Sequence, residues 1–298
     1  MKVLLTGAAG QLGRHLRATT PVSVSLVTSS RRDADQPCDL TDFNAVSEML
    51  DRIRPDAIIN AGAWTAVDAA EDEPDAAHRL NAELPGLLAR WCGDQGAKLV
   101  TYSTDYVFSG QPQRPWRESD PTAPQSVYGR SKLAGEQAVM NTGASALIVR
   151  TAWVYSALPG NFLSAILARA ARGEDLRVVA DQIGSPTWAG SLARASWTLL
   201  RSMDDKSSGP EIVHAAGRGA MSWHEFAQLA VHRAAATGLI PGQVNVAPIN
   251  SDQWPQKATR PAWSVLDCSR YADLTGEPLM DVESALAECL NLWNQAPC

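Results

Sequence analysis

Short apolar runs alternate with amphipathic stretches through the first half of the chain. The runs V-L-L, V-S-V-S-L-V, A-I-I-N, K-L-V-T-Y-S and A-L-I-V-R predict strands at 3–5, 22–27, 57–60, 98–103 and 146–150. Apolar residues at helical spacing predict helices at about 11–19, 42–53, 75–95 and 127–142. Strands and helices that alternate in this way indicate a parallel sheet covered by helices on both faces.

The alternation becomes less regular after about residue 153. We predict helices at 161–172, 190–202, 223–236 and 282–294, and one further strand at 212–214. The loop D-Q-I-G-S-P-T at 181–187 lies between the first two of these helices. A smaller second lobe, interleaved with late elements of the first unit, is therefore expected.

Length and charge narrow the class of protein. With 298 residues, 45% of them hydrophobic, the chain suits one large α/β domain with a smaller partner lobe. A formal charge of -6 argues against a nucleic-acid or membrane surface, because both need a basic patch. The cysteines and histidines lack metal-type spacing, so we predict no catalytic metal. The N-terminus runs directly into a strand without a signal or membrane segment, so we expect a cytoplasmic protein.

A glycine turn opens the first helix. T-G-A-A-G-Q-L-G at 6–13 contains Gly7, Gly10 and Gly13 in the pattern G-x-x-G-x-x-G. Such glycines permit a tight turn, close approach of a phosphate and close packing of helix on strand. The helix N-terminus offers N–H groups and a positive dipole end to a pyrophosphate. We therefore predict a Rossmann-type doubly wound sheet that binds a dinucleotide, with a purely structural turn as the alternative.

The end of the second strand bears on the choice of cofactor. NAD-selective sites usually have a carboxylate here for the ribose hydroxyls. This chain has Ser30 followed by Arg31 and Arg32, which suits a 2′-phosphate and favours NADPH, although NADH stays possible and the arginines could simply be solvated. Further cofactor contacts are predicted at Asp39, Leu40, Ala61 and Ala63.

The segment Y-G-R-S-K at 128–132 is the candidate chemical centre. Tyr128 and Lys132 are four residues apart in a predicted helix, which puts them on one face. The strand before that helix brings Thr104 to the carboxyl edge of the sheet, where such folds bind ligands. These three groups beside a nicotinamide suit hydride transfer to a carbonyl, with Tyr128 as proton donor. An ordinary polar helix face is the alternative.

The proton donor needs tuning. A free tyrosine has a pKa of about 10. Lowering that pKa to about 7 requires that the phenolate be stabilised relative to the phenol by roughly 4 kcal/mol. A cation within about 4–6 Å of an ionisable group of opposite charge lowers its pKa by about 1 to 3. We therefore expect Lys132 to lower the pKa of Tyr128, with a hydrogen bond from Thr104. Lys132 is also expected to bind the nicotinamide ribose hydroxyls.

These motifs resemble those of the extended short-chain dehydrogenase/reductase family: the glycine turn, N-A-G-A, S-T-D-Y-V-F and Y-G-R-S-K-L-A-G-E. Longer stretches, among them T-A-V-D-A-A-E-D-E-P, R-T-A-W-V-Y and D-Q-I-G-S-P-T, are similar to members that reduce the C4 keto group of dTDP-4-dehydro-L-rhamnose. The resemblance covers nearly the whole chain. It implies an NADPH-dependent reductase of a sugar nucleotide, with a nucleotide-binding domain over 1–153 and a substrate-binding lobe over 154–298. Segments near 161–172 and 211–215 are expected to return to the first domain.

The resemblance also implies roles for single residues. Tyr128 corresponds to the proton donor, Lys132 to its partner and cofactor ligand, and Thr104 to the hydroxyl that tunes the pair. Cofactor contacts are implied at Gly10, Gln11, Leu12, Ser30, Asp39, Leu40, Ala63, Trp64, Thr65 and Tyr102. The sugar nucleotide is expected to contact Thr104, Asp105 and Trp153.

Some assignments stay open on the residues alone. Trp153 suits a flat apolar wall for a deoxysugar, or a place in the core. Arg260 could pair with a diphosphate, which an arginine fork suits, or be solvated. The acidic cluster Asp68, Glu71, Asp72 and Glu73 is predicted to cap the helix that begins near Pro74.

Two departures from the family concern assembly and rival functions. His15 and Gly190 stand where some members have acidic residues that bridge a dimer through magnesium, so we expect a monomer or a weak homodimer without that bridge.

A dehydratase would have a glutamate after Asp105, where this chain has Tyr106. Two further rival functions are an epimerase that retains NAD and a non-catalytic NADP-binding regulatory subunit.

Overall fold

The computed structural model describes residues 1–111, 114–203 and 209–295. The strands are β1 (Lys2–Thr6), β2 (Ser25–Ser30), β3 (Gln36–Pro37), β4 (Ala57–Asn60), β5 (Lys98–Thr104), β6 (Ser145–Thr151), β7 (Val154–Tyr155), β8 (Leu176–Val179), β9 (Ile183–Gly184), β10 (Thr187–Trp188), β11 (Glu211–His214), β12 (Met221–Ser222) and β13 (Val246–Ile249). The helices are α1 (Gln11–Ala18), α2 (Phe43–Ile53), α3 (Val67–Ala70), α4 (Pro74–His78), α5 (Leu84–Gln95), α6 (Val127–Met140), α7 (Phe162–Ala170), α8 (Ala189–Ser202), α9 (Trp223–Ala236), α10 (Ser269–Thr275) and α11 (Val282–Gln295). A π-helical turn, Arg79–Glu83, joins α4 to α5.

Seven parallel strands form the central sheet, in the order β11-β6-β5-β4-β1-β2-β3. Alternate residues of β1 point to opposite faces. Val3 and Leu5 pack against α1 and α8, whereas Leu4 packs against α2 and α5. The sheet is therefore covered on both faces, which confirms the predicted Rossmann-type fold.

A polar ladder crosses the carboxyl edge of this sheet. Thr6 donates from its hydroxyl to Asn60 at 2.7 Å, and the Asn60 amide donates to the Thr101 hydroxyl at 3.1 Å. All three residues are buried. The ladder fixes the ends of β1 and β4 against the middle of β5, which continues three residues further to Thr104.

A second cluster of apolar side chains lies in the lobe after residue 153. It joins α7, α9 and α11 to the short parallel pair β8 and β13. Strand β11 pairs with β6 and so lies in the main sheet. The expected return of 161–172 to the first domain is wrong, because α7 packs on α9 and β8 through Leu163, Ile166 and Leu167.

The second strand is displaced from its predicted position at 22–27. Pro21 to Val24 form a turn, with the Val24 N–H bonded to the Pro21 carbonyl at 2.9 Å, and Val22 is fully exposed. Pairing with β1 runs from Ser25 to Ser29, and β2 extends to Ser30, which pairs with β3. The prediction therefore placed the start of the strand three residues too early, and Ser30 is the last residue of the observed strand.

The predicted helix at 75–95 contains the π-helical turn. Pro85 has no N–H with which to bond the carbonyl of Asn81, four residues earlier. That carbonyl faces α6, where a Cβ on Gly135 would lie only 2.0 Å from it. The proline and the glycine together account for the irregular turn and for the close approach of α6.

Candidate active site

The glycine turn between β1 and α1 is built for close backbone approach. Gly7 has φ +69°, and a Cβ there would lie 2.5 Å from the backbone carbon of Ala61. A Cβ on Gly13 would lie 2.2 Å from the Gly7 carbonyl. Gly10 occupies the N-cap of α1 without a side chain over the first-turn N–H groups. These residues fit a pyrophosphate, which needs an open helix N-terminus.

Ser30 and its neighbours lie at the adjacent end of β2. The Ser30 hydroxyl donates to the carbonyl of Arg32, and Arg31 and Arg32 are exposed. Hydrogen bonds from Thr41 lower the pKa of Asp39, and the charge of Arg31 lowers it further. Ser30, predicted to contact the 2′-phosphate, and Asp39, predicted to contact the adenine, therefore lie at the same end of β2, together with the cations Arg31 and Arg32.

Leu40 and the segment 61–65 line the neighbouring part of the edge. A Cβ on Gly62 would lie 2.4 Å from Leu40 Cδ1, so Leu40 packs directly on this segment. Trp64 is held through its backbone, since its N–H donates to Asn81 Oδ1 at 2.9 Å and its carbonyl accepts from Asn81 Nδ2 at 3.0 Å. Ala61, Ala63 and Thr65 belong to the same segment after β4.

Asn81 is a site residue that sequence reasoning missed. Its amide nitrogen also donates to the Ser131 hydroxyl on α6 at 3.0 Å. One buried side chain therefore ties the segment at 61–65 to the helix that carries Tyr128 and Lys132. A proline inside a predicted helix, at 85, was the available signal that this turn is irregular.

Tyr128 and Lys132 project from the first turns of α6. Ser126 caps this helix by accepting from the Gly129 N–H at 3.1 Å. A Cβ on Gly129 would lie 2.4 Å from the Tyr106 carbonyl, so α6 begins directly against the turn that follows β5. The Tyr128 phenol lies near the Thr104 hydroxyl, which acts to lower the pKa of the phenol. The three predicted catalytic residues are thus brought together.

Lys132 is buried, and its ammonium donates to the Tyr102 carbonyl at 3.2 Å. The Tyr102 phenol points away, donating to the Ser196 hydroxyl at 2.6 Å. Tyr102 therefore faces the site with its backbone. An ammonium has three donors, so Lys132 retains capacity for ribose hydroxyls.

The pKa of Tyr128 moves opposite to our expectation. Burial raises it, the hydrogen bond with Thr104 opposes that rise, and the charge of Asp105 adds to it. Burial also lowers the pKa of Lys132 to about 8, against the charge of Glu136. In the protein alone, desolvation of the phenol outweighs any help from the ammonium, so the predicted lowering by Lys132 is wrong for this state.

A buried ion pair lies one helical turn beyond Lys132. Arg150 on β6 donates to Glu136 from Nε at 2.8 Å and from a terminal nitrogen at 2.6 Å. The Ser103 hydroxyl also donates to Glu136, and Arg150 contacts His214 at 3.4 Å. The pair connects α6 to three neighbouring strands directly beneath the site.

Trp153 lies on the lobe side of the site. It stacks on Trp223 with ring centroids 3.5 Å apart and planes 2° from parallel. A Cβ on Gly184 would lie 2.3 Å from the Trp153 ring, so only glycine fits beneath it. Trp153 is half-buried and has φ +47°, a strained value for a residue with a side chain. Trp153 therefore has one ring face on Trp223 and also packs against the apolar cluster that contains Phe108 and Trp116.

Arg260 is not solvated. Its fork donates to both carboxylate oxygens of Asp68, at 2.9 and 2.7 Å, and its side chain is 18% exposed. The hydrogen bond and charge of Arg260 hold the pKa of Asp68 at about 2. A diphosphate at Arg260 would therefore have to compete with Asp68.

The acidic cluster does not cap α4 as predicted. Glu73 occupies the N-cap position but its side chain makes no capping bond. Asp68 instead accepts from the N–H groups of Lys257 and Ala258, and Asp72 pairs with the Lys257 ammonium. Long-range partners in the segment 257–260 outcompete the local helix end.

Comparison with known proteins decides the family. A family model described as "RmlD substrate binding domain" matches residues 1–294. A dTDP-4-dehydrorhamnose reductase from Burkholderia thailandensis is 39% identical over 97% of this chain and 98% of its own. The chain belongs to the dTDP-4-dehydrorhamnose reductase family.

Solved structures of the family agree in fold. A dTDP-4-dehydrorhamnose reductase from Clostridium acetobutylicum, 33% identical, has a TM-score of 0.88 over 99% of this chain and 100% of its own. The dTDP-4-dehydrorhamnose reductase from Bacillus anthracis, solved in complex with NADP, is 32% identical with a TM-score of 0.86 over 98% and 99%. Both units are therefore shared with the family. Within the described residues, no helix is long and apolar enough to cross a membrane.

Proposed function

We propose that this chain is an NADPH-dependent reductase that converts the C4 keto group of dTDP-4-dehydro-L-rhamnose to the hydroxyl of dTDP-L-rhamnose. The observation that carries the proposal is the gathering of Thr104, Tyr128 and Lys132 at the sheet edge beside the glycine turn. Membership of the reductase family supplies the substrate, and a relative solved with NADP supports the cofactor.

The residues divide the chemistry between them. When bound, NADPH supplies a hydride to the carbonyl carbon. Tyr128 donates its phenolic proton to the carbonyl oxygen as negative charge develops there. Lys132 binds the nicotinamide ribose hydroxyls and places a positive charge near the phenol. Thr104 hydrogen-bonds to the phenol and holds it towards the substrate.

The rest of the site provides binding. The glycine turn with Gln11 and Leu12 holds the pyrophosphate, and Ser30 and Arg31 face the 2′-phosphate. Trp153 forms the wall against the sugar, and Arg260 reaches the diphosphate if its pair with Asp68 opens. The first 153 residues, completed by α8 and β11, form the cofactor-binding domain, and the elements around α7, α9 and α11 form the substrate lobe.

Assembly and location belong to the same proposal. His15 packs edge-on to Trp188, with centroids 5.9 Å apart, and the Trp188 ring lies 2.4 Å from where a Cβ on Gly190 would be. Neither position supplies a carboxylate, which supports a monomer or weak dimer without a magnesium bridge. We also infer a cytoplasmic location, where NADPH is available.

The test is a spectrophotometric assay with enzymatically prepared dTDP-4-dehydro-L-rhamnose. We expect NADPH absorbance to fall, and Tyr128→Phe to reduce turnover by about a thousandfold or more while cofactor binding is retained. Cofactor binding is measured by nucleotide fluorescence. A silent wild-type protein with active substrate would contradict the function, and a fully active Tyr128→Phe would contradict the proton donor.

A further inference from the structure

Asp105 is a buried carboxyl that the mechanism above leaves without a proton role. It is 2% exposed and follows directly on Thr104 at the end of β5. Its Oδ1 accepts a hydrogen bond from the Thr104 hydroxyl at 2.9 Å. Its Oδ2 is buried and has no hydrogen-bond partner among the described residues.

This environment shifts Asp105 towards the neutral acid relative to a solvated aspartate. An ionised carboxylate with one buried, unpartnered oxygen loses much of its solvation, whereas a neutral carboxyl loses far less. Burial accordingly raises the pKa of Asp105 to about 6, against the hydrogen bonds from Ser264 and Thr104.

The groups that face Asp105 do not reverse this preference. Tyr106 and Tyr128 both interact with its charge, and burial raises the pKa of each phenol. The charges of Arg260 and Asp68 act on Tyr106 and belong to one mutual ion pair. Asp105 thus shares its surroundings with neutral phenols and a compensated pair.

The Thr104 hydroxyl links Asp105 to Tyr128. A hydroxyl has one proton to donate and two acceptor positions. The Tyr106 N–H occupies one acceptor position at 3.2 Å. If Asp105 is ionised, Thr104 donates to it, and the Tyr128 proton is drawn towards Thr104 and away from the substrate. If Asp105 is protonated, it donates to Thr104, and Thr104 donates to the Tyr128 oxygen. Only the second arrangement leaves the Tyr128 proton free for a ketone.

We propose that protonated Asp105 supplies, through Thr104, the proton that restores Tyr128 after each reduction. The inference rests on the proposed function and adds to the sugar contact that the family resemblance implies for Asp105. It makes Asp105 a positioning residue that acts through Thr104.

The proton balance is complete. Tyr128 loses its proton to the oxygen of the newly reduced carbon and becomes a phenolate. The O–H bond of Thr104 breaks as its proton moves to the phenolate, and the O–H bond of Asp105 breaks as its proton moves to Thr104. Asp105 is left as a carboxylate, and water returns its proton between turnovers. One proton moves along the relay, and no electrons move with it.

The test compares Asp105→Asn with Thr104→Val and Thr104→Ser. The asparagine keeps the shape of Asp105 but cannot supply a proton. We expect kcat to fall by roughly tenfold to a hundredfold in Asp105→Asn and Thr104→Val, with a smaller change in KM. The double variant should be no slower than the slower single variant, because both changes interrupt one relay. Thr104→Ser, which retains the hydroxyl, should recover most of the turnover lost in Thr104→Val.

The pH profile gives a readout that a structural role would not move. Wild-type kcat should fall as the pH rises through the range in which Asp105 ionises, since the acid form is the donor, and Asp105→Asn should lack that fall. In the cofactor-free protein, carbon-13 NMR of aspartate should show one carboxyl, absent in Asp105→Asn, that titrates near pH 6.

Three outcomes would overturn the relay. These are an Asp105→Asn variant that raises KM but keeps the wild-type kcat and pH profile, a strictly additive double variant, or an Asp105 carboxyl that titrates like a solvated aspartate. The first of these would leave Asp105 as a sugar ligand only. A wild-type protein that oxidises no NADPH would overturn the proposed function and the relay together, so the two failures are distinguishable. Nucleotide fluorescence of each variant confirms folding.

Discussion

Two bidentate arginine–carboxylate pairs with similar shortest distances differ in how deeply they are buried in this molecule. Arg150 and Glu136 meet at 2.6 Å with both side chains 3% exposed. Arg260 and Asp68 meet at 2.7 Å, but their side chains are 18% and 47% exposed. The chemistry of the two pairs is the same, and their surroundings differ.

Because of this difference in burial, we expect the Arg150–Glu136 pair to stay closed and the Arg260–Asp68 pair to open more easily. Removing one partner of a buried pair leaves an uncompensated charge without water, whereas an exposed charge is re-solvated. The buried pair anchors the helix of Tyr128 and Lys132 to the sheet. The exposed pair joins α3 to the segment 257–260, and the charge of Arg260 acts on Tyr106, next to Asp105. Rigidity is therefore expected beneath the reacting atoms, and mobility at the entrance.

The largest expected effect comes from Glu136→Gln. We expect the free energy of unfolding to fall by about 3–5 kcal/mol, because Arg150 is left buried without its counter-charge. Urea denaturation measures this change. Glu83→Gln is the matched control, since Glu83 pairs with Arg79 on an exposed surface at 3.7 Å. Equal losses in the two variants would show that burial does not distinguish the pairs.

A pH-dependent loss of stability should arise from His214, which faces Arg150. Burial, with the charge of Arg150, lowers the pKa of His214 to about 3. An unfolded histidine takes up a proton below about pH 6.5, whereas folded His214 remains neutral until about pH 3. The free energy of unfolding should therefore fall as the pH decreases through this range, by at most about 1.4 kcal/mol per unit.

His214→Gln should flatten that slope, and His232→Gln, at an exposed position, should leave it unchanged. Denaturation of the wild type and of His214→Gln is compared at several pH values between 4.5 and 7. The difference between the two isolates the contribution of His214, because Asp105, whose raised pKa gives a slope of opposite sign in this range, is present in both proteins. A wild-type slope that persists in His214→Gln would assign the titration to another group.

The smallest expected effect comes from Asp68→Asn. We expect a loss of at most about 1 kcal/mol, because solvent screens the half-exposed pair. Its effect should shrink further in high salt, unlike that of Glu136→Gln. A loss as large and as salt-independent as that of Glu136→Gln would contradict the proposed difference between the two pairs. Because Arg260 is then free, the KM for the sugar nucleotide should fall slightly.

The parts of the fold that follow local rules were predictable. The period of apolar residues located every strand of the main sheet except β3 to within a few residues, and the glycine spacing predicted the phosphate turn. The strand at 22–27 failed because alternation in V-S-V-S-L-V does not reveal which residues face solvent. Only pairing with β1 sets that register.

The parts that depend on long-range contacts were not predictable. The partners of Asp68 lie about 190 residues further along the chain, so a local capping rule chose the wrong role. Asn81 carries no motif of its own, and its importance follows from meeting Trp64 and Ser131 in space. The pKa of Tyr128 depends on burial, which spacing alone does not report.

The central claim is that this chain transfers hydride to the sugar and releases the reduced product. The most direct measurement uses NADPH carrying two deuterium atoms at C4 of the nicotinamide, followed by mass spectrometry and NMR of the sugar nucleotide. We expect one deuterium at C4 of dTDP-L-rhamnose for each NADPH oxidised. A sugar nucleotide recovered without deuterium, whether unchanged, epimerised or dehydrated, would contradict it.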